Sequence, residues 1–169
     1  MFLSSPRFEL VELADIVDSA LRKAARLLAS HDVHVSLPDD LPMLRLDLFL
    51  MEHALINLLE NAAKFSPDGS RIEVTAEMAG RDIRLTVRDR GIGIAAGDVP
   101  HVFSKFYRGE TNDAKPAGSG LGLAICRAFV EANAGRVDAL SNGEGQGATF
   151  RITLPAADAE YSELMVADE

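Results

Sequence analysis

The sequence of 169 residues contains a single cysteine. No internal disulfide can form, so a packed core must hold the fold. Cys126 stands among Ala124, Ile125, Ala128 and Phe129, where a buried, unreactive thiol is expected. No apolar run reaches the ~18 residues of a membrane-spanning helix. The N-terminus lacks the basic and apolar regions of a signal peptide, so the chain as given is expected in an aqueous compartment. An excess of basic residues is missing too. With 17 Lys and Arg against 26 Asp and Glu the net charge is −9, which argues against a general nucleic-acid binder or a ligand of anionic membranes. The common phosphate-loop signatures are also absent. No glycine precedes Lys-Ser or Lys-Thr at the Walker spacing, no G-x-G-x-x-G occurs, and the loop motifs of Ser/Thr/Tyr protein kinases are lacking.

What is present suits one globular domain, with 47% hydrophobic residues available for a core. Apolar residues recur at helical spacing from Val11 to Ser30 and predict an amphipathic helix. Short strands are predicted at Val33 to Leu37 and Met43 to Leu46, on either side of Pro38-Asp39-Asp40. Asp47 can cap a helix from Leu48 to Phe65, which Ser66-Pro67-Asp68-Gly69 stops. Alternation around Ile72 to Ala76 and Ile83 to Val87, joined by Ala79-Gly80-Arg81-Asp82, reads as a β-hairpin. Its second strand runs into Asp89-Arg90-Gly91-Ile92-Gly93-Ile94. A polar stretch from Gly109 to Gly118 reads as a lid. A last helix is expected over about Gly120 to Asn133, and closing strands at Arg136 to Leu140 and Ala148 to Leu154. The economical architecture is α/β, a two-layer sandwich with helices on one face of a mixed sheet. Residues 156–169, acidic and poor in apolar side chains, are expected to form a frayed tail.

On the predicted helix Leu48 to Phe65, Asn57, Asn61 and Lys64 lie at i, i+4 and i+7 and so share one stripe. Two asparagines one turn apart cost helix stability unless their amides find partners. An oxygen-seeking cation such as magnesium is one partner, and Lys64 could offset phosphate charge. A solvated helix face with incidental asparagines is the alternative. The glycine clusters shift the balance, because Gly118-Ser119-Gly120-Leu121-Gly122 opens a helix and offers backbone amides to an anion. Asp89, at a strand end, could accept a hydrogen bond from an exocyclic amine such as that of adenine.

In this order, residues 57–65, 89–93, 102–109 and 118–125 resemble the N, G1, F and G2 boxes of one family, the ATP-binding catalytic domain of sensor histidine kinases. That family sits within the wider group of gyrase, Hsp90 and MutL. The likeness runs from about Phe8 to Pro155, and residues 8–13 and 35–42 look most like potassium-responsive KdpD-type sensors. The resemblance implies a Bergerat-type ATP-binding fold with ATP and Mg as cofactors, and a catalytic domain over residues 1–155. Asn61 would coordinate magnesium with Asn57 assisting, and Lys64 and Arg108 would contact phosphates. Phe65 would pack near the adenine and Asp89 would bind its amine. Gly91 and Gly93 would leave room for the base, and Gly118, Gly120 and Gly122, with Leu121 among them and Tyr107 before them, would close over the triphosphate. Thr149 would add a polar contact to the base.

Hydrolytic relatives carry a glutamate one turn before the magnesium asparagine, where this chain has Asn57. An amide cannot take a proton from water, so slow hydrolysis is expected, with the phosphoryl group kept for a protein acceptor. Glu60, about 100° around the helix from Asn61, is expected to point elsewhere. The resemblance places the acceptor histidine on a dimerisation domain of a longer sensor, with a response regulator downstream. His31, His34, His53 and His101 do not fit the acceptor motif and read as structural or solvated. The isolated domain is expected to be monomeric and cytoplasmic, with its parent anchored in the bacterial inner membrane. A nucleotide-binding regulatory module and an anti-sigma-type serine kinase stay open as alternatives.

Overall fold

A computed structural model describes residues 5–105, 107 and 120–157; the expected lid from Gly109 to Gly118 and nearly all of the expected tail lie outside them. A short strand, β1 (Glu9–Val11), leads into α1 (Leu13–Lys23) and the one-turn α2 (Ala25–Leu28). The single helix expected over Val11 to Ser30 is thus divided at Ala24, where ψ rises to 6°. Its buried stripe survives the break, since Leu13, Ile16, Val17, Ala20, Ala24 and Leu28 all face the core.

Strands β2 (Asp32–Ser36) and β3 (Leu44–Leu46) flank the expected turn but do not pair with each other. Antiparallel pairing joins β3 to β1, while β2 runs parallel to β4 (Arg71–Ala79). Parallel neighbours need a crossover, and α3 (Leu48–Phe65) supplies it. The predicted hairpin is β4 with β5 (Asp82–Arg88), and the chain closes with α4 (Gly122–Ala132), β6 (Arg136–Leu140) and β7 (Thr149–Pro155). The main sheet is mixed, in the order β2-β4-β5-β7-β6.

Alternate sheet residues, including Ile72, Val74, Ile83, Leu85, Phe150 and Ile152, are buried against Leu55, Leu58 and Leu59 of α3, Ile16 and Val17 of α1, and Cys126 and Val130 of α4. Strand side chains alternate between faces, and the other face carries charges such as the Arg84–Glu77 pair at 3.4 Å. The two-layer architecture expected from sequence is present. Cys126 is fully buried, and burial pushes its thiol up to about 12.

Two sets of polar contacts fix α3, the helix that carries the asparagine stripe. At its start the Asp47 carboxylate accepts the Leu50 N–H at 3.0 Å. The Asp47 N–H donates to Asn133 Oδ1 at 2.7 Å, and Asn133 Nδ2 donates to the Phe129 carbonyl at 2.8 Å. The start of α3 is therefore tied to the end of α4. One turn on, Glu52 is buried and accepts Ser19 Oγ–H at 2.8 Å beside the Lys23 ammonium. Burial works against its charge, but Lys23 and Ser19 together hold the carboxyl below its ordinary range.

Three turns interlock beyond the end of α3. The Phe65 carbonyl accepts the Ile92 N–H at 3.0 Å, and a Cβ on Gly91 would lie 2.1 Å from that carbonyl oxygen. Gly147 N–H donates to Gly91 O at 3.1 Å and Gly145 N–H to Ile92 O at 2.6 Å. Ser141 Oγ accepts from Ile94 N–H at 3.0 Å and donates to Gly147 O at 2.8 Å. Gly147 has φ +72°, and a Cβ there would meet Asp89 O at 2.2 Å. The backbones approach too closely for any side chain to fit between them.

Gly147→Ala is expected to cost more than about 3 kcal/mol through strain and overlap. Gly145→Ala, at φ +77° with open space around it, should cost only about 1 kcal/mol. Urea unfolding of the two variants checks this, and equal losses would contradict the interlock. Glu52→Gln should lower stability at pH 7 by about 1 kcal/mol, a figure reduced for the exposure of Lys23. Because the folded Glu52 carboxyl titrates below its unfolded value of 4.5, its contribution is complete above that pH and fades as pH falls through the lower folded value. The stability gap between wild type and variant should therefore narrow as pH falls below 4.5, as measured by urea midpoints across pH.

Candidate functional site

A cavity of about 620 Å³ opens between the C-terminal half of α3, the corner after α2, the turn after β5 and the start of α4. Asn57, Asn61, Lys64 and Phe65 border it from α3. The amides of Asn57 and Asn61 have no protein hydrogen-bond partner among the described residues. Partly buried and bordering an open cavity, they keep their donors and acceptors available to water or to a ligand. Lys64, in the last turn, is exposed and has no carboxylate partner among the described residues.

Asp89 forms the opposite wall. It is 3% exposed, and its Oδ1 accepts both the Gly91 N–H at 2.9 Å and the Ala148 N–H at 3.2 Å. Both donors go to one oxygen, so Oδ2 is left without a protein donor among the described residues. Burial raises the Asp89 pKa, and the two backbone donors and nearby His31 offset only part of that rise. The neighbouring walls are apolar: Ile92, Ile94, Val102, Ala148 and Phe150. A fixed acceptor among apolar side chains suits a flat heterocycle that presents an N–H donor.

The cavity brings together Asn57, Asn61, Lys64, Phe65, Asp89, Gly93, Tyr107, Gly120 and Gly122. Gly91, Leu121 and Thr149 do not border it. The room that Gly91 leaves is taken by the Phe65 carbonyl, and the room at Gly93 by Gly143 O, at 2.1 Å from an added Cβ in each case. These glycines admit neighbouring backbone, although Gly93 still reaches the cavity wall. Thr149 is one residue from Phe150 on β7, and alternation sends adjacent strand side chains to opposite faces; Ala148 and Phe150 border the cavity instead. Arg108 and Gly118 lie outside the described residues.

One expectation is corrected: Glu60 does not point away but borders the cavity. His31 borders it too, held structurally with its Nε2 3.3 Å from the Ser66 carbonyl and its Nδ1 3.3 Å from Ser30 Oγ. Of the other histidines, His34 pairs with Asp32 at 2.9 Å, His53 lies against Phe49 with ring centroids 4.3 Å apart, and the exposed His101 lies 6.0 Å from the Tyr107 ring. The wall from Leu27, Ser30 and His31 had no motif to announce it. The brace at 141–147 did leave a signal, three alternating glycines at 143, 145 and 147.

Among the described residues four carboxylates border the cavity (Glu60, Asp68, Asp89 and Asp98), with Lys64 and His31. Among the described residues no three His, Cys, Asp or Glu side chains gather into a metal cage. Magnesium fits the residues present, because it is typically held by few protein oxygens and completed by phosphates and water. Asn57 and Asn61 have such oxygens uncommitted. No helix among the described residues is long and apolar enough to cross a membrane.

Comparison with known proteins agrees with this geometry. Residues 47–158 match the family described as histidine kinase-, DNA gyrase B-, and HSP90-like ATPase. The chain is 42% identical over 155 residues to the sensor protein KdpD of Escherichia coli (strain K12), covering 92% of this chain and 17% of that protein. Its fold is similar to the mycobacterial sensor histidine kinase MprB, at TM-score 0.77 and 28% identity, with 88% of this chain and 97% of that one covered. It is also similar in fold to full-length ShkA in complex with AMPPNP, at TM-score 0.79 and 24% identity, over 92% of this chain and 32% of that one. The family match contains α3, the three interlocked turns and α4, which is most of the cavity wall apart from the corner after α2, and the chain belongs to the histidine kinase-, DNA gyrase B- and HSP90-like ATPase family.

Proposed function

We propose that residues 1–155 are the catalytic domain of a KdpD-like sensor histidine kinase, which binds Mg-ATP in the cavity. The γ-phosphoryl group goes to a histidine on a dimerisation domain of the longer protein, and from there to a response regulator. The observation that carries this reading is the shared cavity: two uncommitted asparagine amides and Lys64 on α3 face the same space as the free oxygen of Asp89.

In this reading Asp89 Oδ2 accepts the adenine amine while Phe65, Ile92, Ile94 and Phe150 enclose the ring. Asn61 and Asn57 hold the magnesium ion, which neutralises phosphate charge. Lys64 contacts the phosphates, and the backbone amides at the start of α4 face them at the positive end of that helix. Phosphoryl transfer depends mostly on positioning and charge neutralisation, which these groups provide. Asn57 stands where a water-activating glutamate would be needed and cannot accept a proton, so attack by water is slow and the protein acceptor is favoured. The parent sensor is placed at the bacterial inner membrane with this domain on the cytoplasmic side.

Calorimetric titration with a non-hydrolysable ATP analogue should show saturable, magnesium-dependent binding, and the GTP counterpart should bind weakly or not at all. Asp89→Asn keeps an oxygen for the two backbone donors but places an amide donor where the acceptor was. The variant should lose at least about tenfold of its adenine preference while its stability is unchanged or higher, because a carboxylate whose folded pKa is raised opposes folding at neutral pH. Equal base discrimination in both proteins would remove Asp89 from the base site. Mixed with its dimerisation domain and labelled ATP, the chain should yield acid-labile phosphohistidine. Acid-stable phosphoserine would favour the anti-sigma-type kinase, and tight binding without transfer a regulatory module.

A further inference from the structure

Glu60 is the carboxylate whose position the stripe of α3 does not explain. Measured around the helix it lies about 60° from Asn57 and about 40° from Lys64, although about 100° from Asn61. All four side chains therefore fall within an arc of about 100°, and all four border the cavity. Glu60 is exposed and has no ion pair or hydrogen bond among the described residues, Lys64 one turn away included. A free carboxylate beside a polyphosphate would repel it at short range unless a cation stood between them. The surroundings sharpen the point, since Asp68 and Asp98 border the same cavity.

Resting on the Mg-ATP reading above, we infer that Glu60 supplies the anionic oxygen of the magnesium site, directly or through a metal-bound water. Asn57 and Asn61 bring neutral oxygens, which attract a divalent ion weakly by themselves. Magnesium sites that use substrate phosphates usually include one or two carboxylates, and Glu60 is the carboxylate on the same helical stripe as the two amides. Its charge then has opposite effects on the two forms of the nucleotide, favouring entry of the magnesium complex and opposing entry of the free polyphosphate. Glu60 is thus a positioning residue for the metal and a filter against metal-free nucleotide.

The test is Glu60→Gln, an exposed and nearly isosteric change on a helix, with unfolding midpoints compared to show that the fold is intact. Binding of a non-hydrolysable ATP analogue is titrated by calorimetry at graded magnesium concentrations and again in EDTA. The expected result is a crossing: the magnesium concentration for half-maximal binding rises about tenfold, while binding in EDTA is unchanged or tighter than in wild type. Equal weakening in both media, or no change in either, would overturn the inference while leaving the nucleotide site in place. Lost hydrolysis with unchanged magnesium dependence would overturn it as well, by making Glu60 a base. Absence of any binding by the wild-type chain would defeat the Mg-ATP reading and the inference together.

Discussion

The carboxylate of Asp89 is the point on which the cavity hangs. One of its oxygens gathers the N–H groups of Gly91 and Ala148, from two turns that are far apart in sequence, and so joins the end of β5 to the approach of β7. The Phe65 carbonyl then draws the same turn against the end of α3 through Ile92. That convergence joins the bonds with Gly145, Gly147 and Ser141 in holding the wall formed by residues 89–94. Burying an ionised group at 3% exposure costs stability, and the cost leaves a second oxygen facing the cavity. Stability is given up at a position that borders the cavity, and functional sites are the usual place for a protein to break its own packing rules.

Much of the fold was legible because its signals are local. Asp47 before an apolar run, and Ser66-Pro67-Asp68-Gly69 after it, set both ends of α3. Gly80 with Asp82 marked the hairpin. The break at Ala24 was not legible, since alanine favours helix and the apolar stripe runs through it. Nor was the pairing of β3 with β1, whose partners lie in two three-residue strands too short to show alternation. The turn at Pro38-Asp39-Asp40 suggested neighbours in space, but the chain placed β2 and β3 in separate sheets, a long-range choice that no local pattern contains.

The site shows the same division. Asn57, Asn61, Lys64 and Asp89 could be found because residue types and helical spacing carry chemical meaning, and the cavity includes all four. The glycines were harder to read. Glycine reports a close approach without saying what approaches, and at Gly91 and Gly93 the visitor is the protein's own backbone. Glu60 reaches the cavity although it stands well round the helix from Asn61, because Asn57 and Lys64 are its nearer neighbours on α3. The corner at Leu27, Ser30 and His31 is tied beside the end of α3 by bonds from Gly69 N–H to Ser30 O at 2.6 Å and from Asp32 N–H to Ser70 O at 3.0 Å, contacts invisible before folding.

The tie between Asp47 and Asn133 has a mechanical meaning. It fastens α3 and α4 at the ends remote from the cavity, while the glycine end of α4 lies beside the middle of α3, where a Cβ on Gly122 would be 4.0 Å from Asn57 Oδ1. The tie acts as the handle of a lever whose arm is α4. With a rise of 1.5 Å per residue, α4 makes an arm of about 16 Å, so a tilt of about 5° at the handle displaces its tip by more than about an ångström. A shift of that size is comparable to a hydrogen bond's tolerance, so the tie sets how precisely the start of α4 sits beside Asn57.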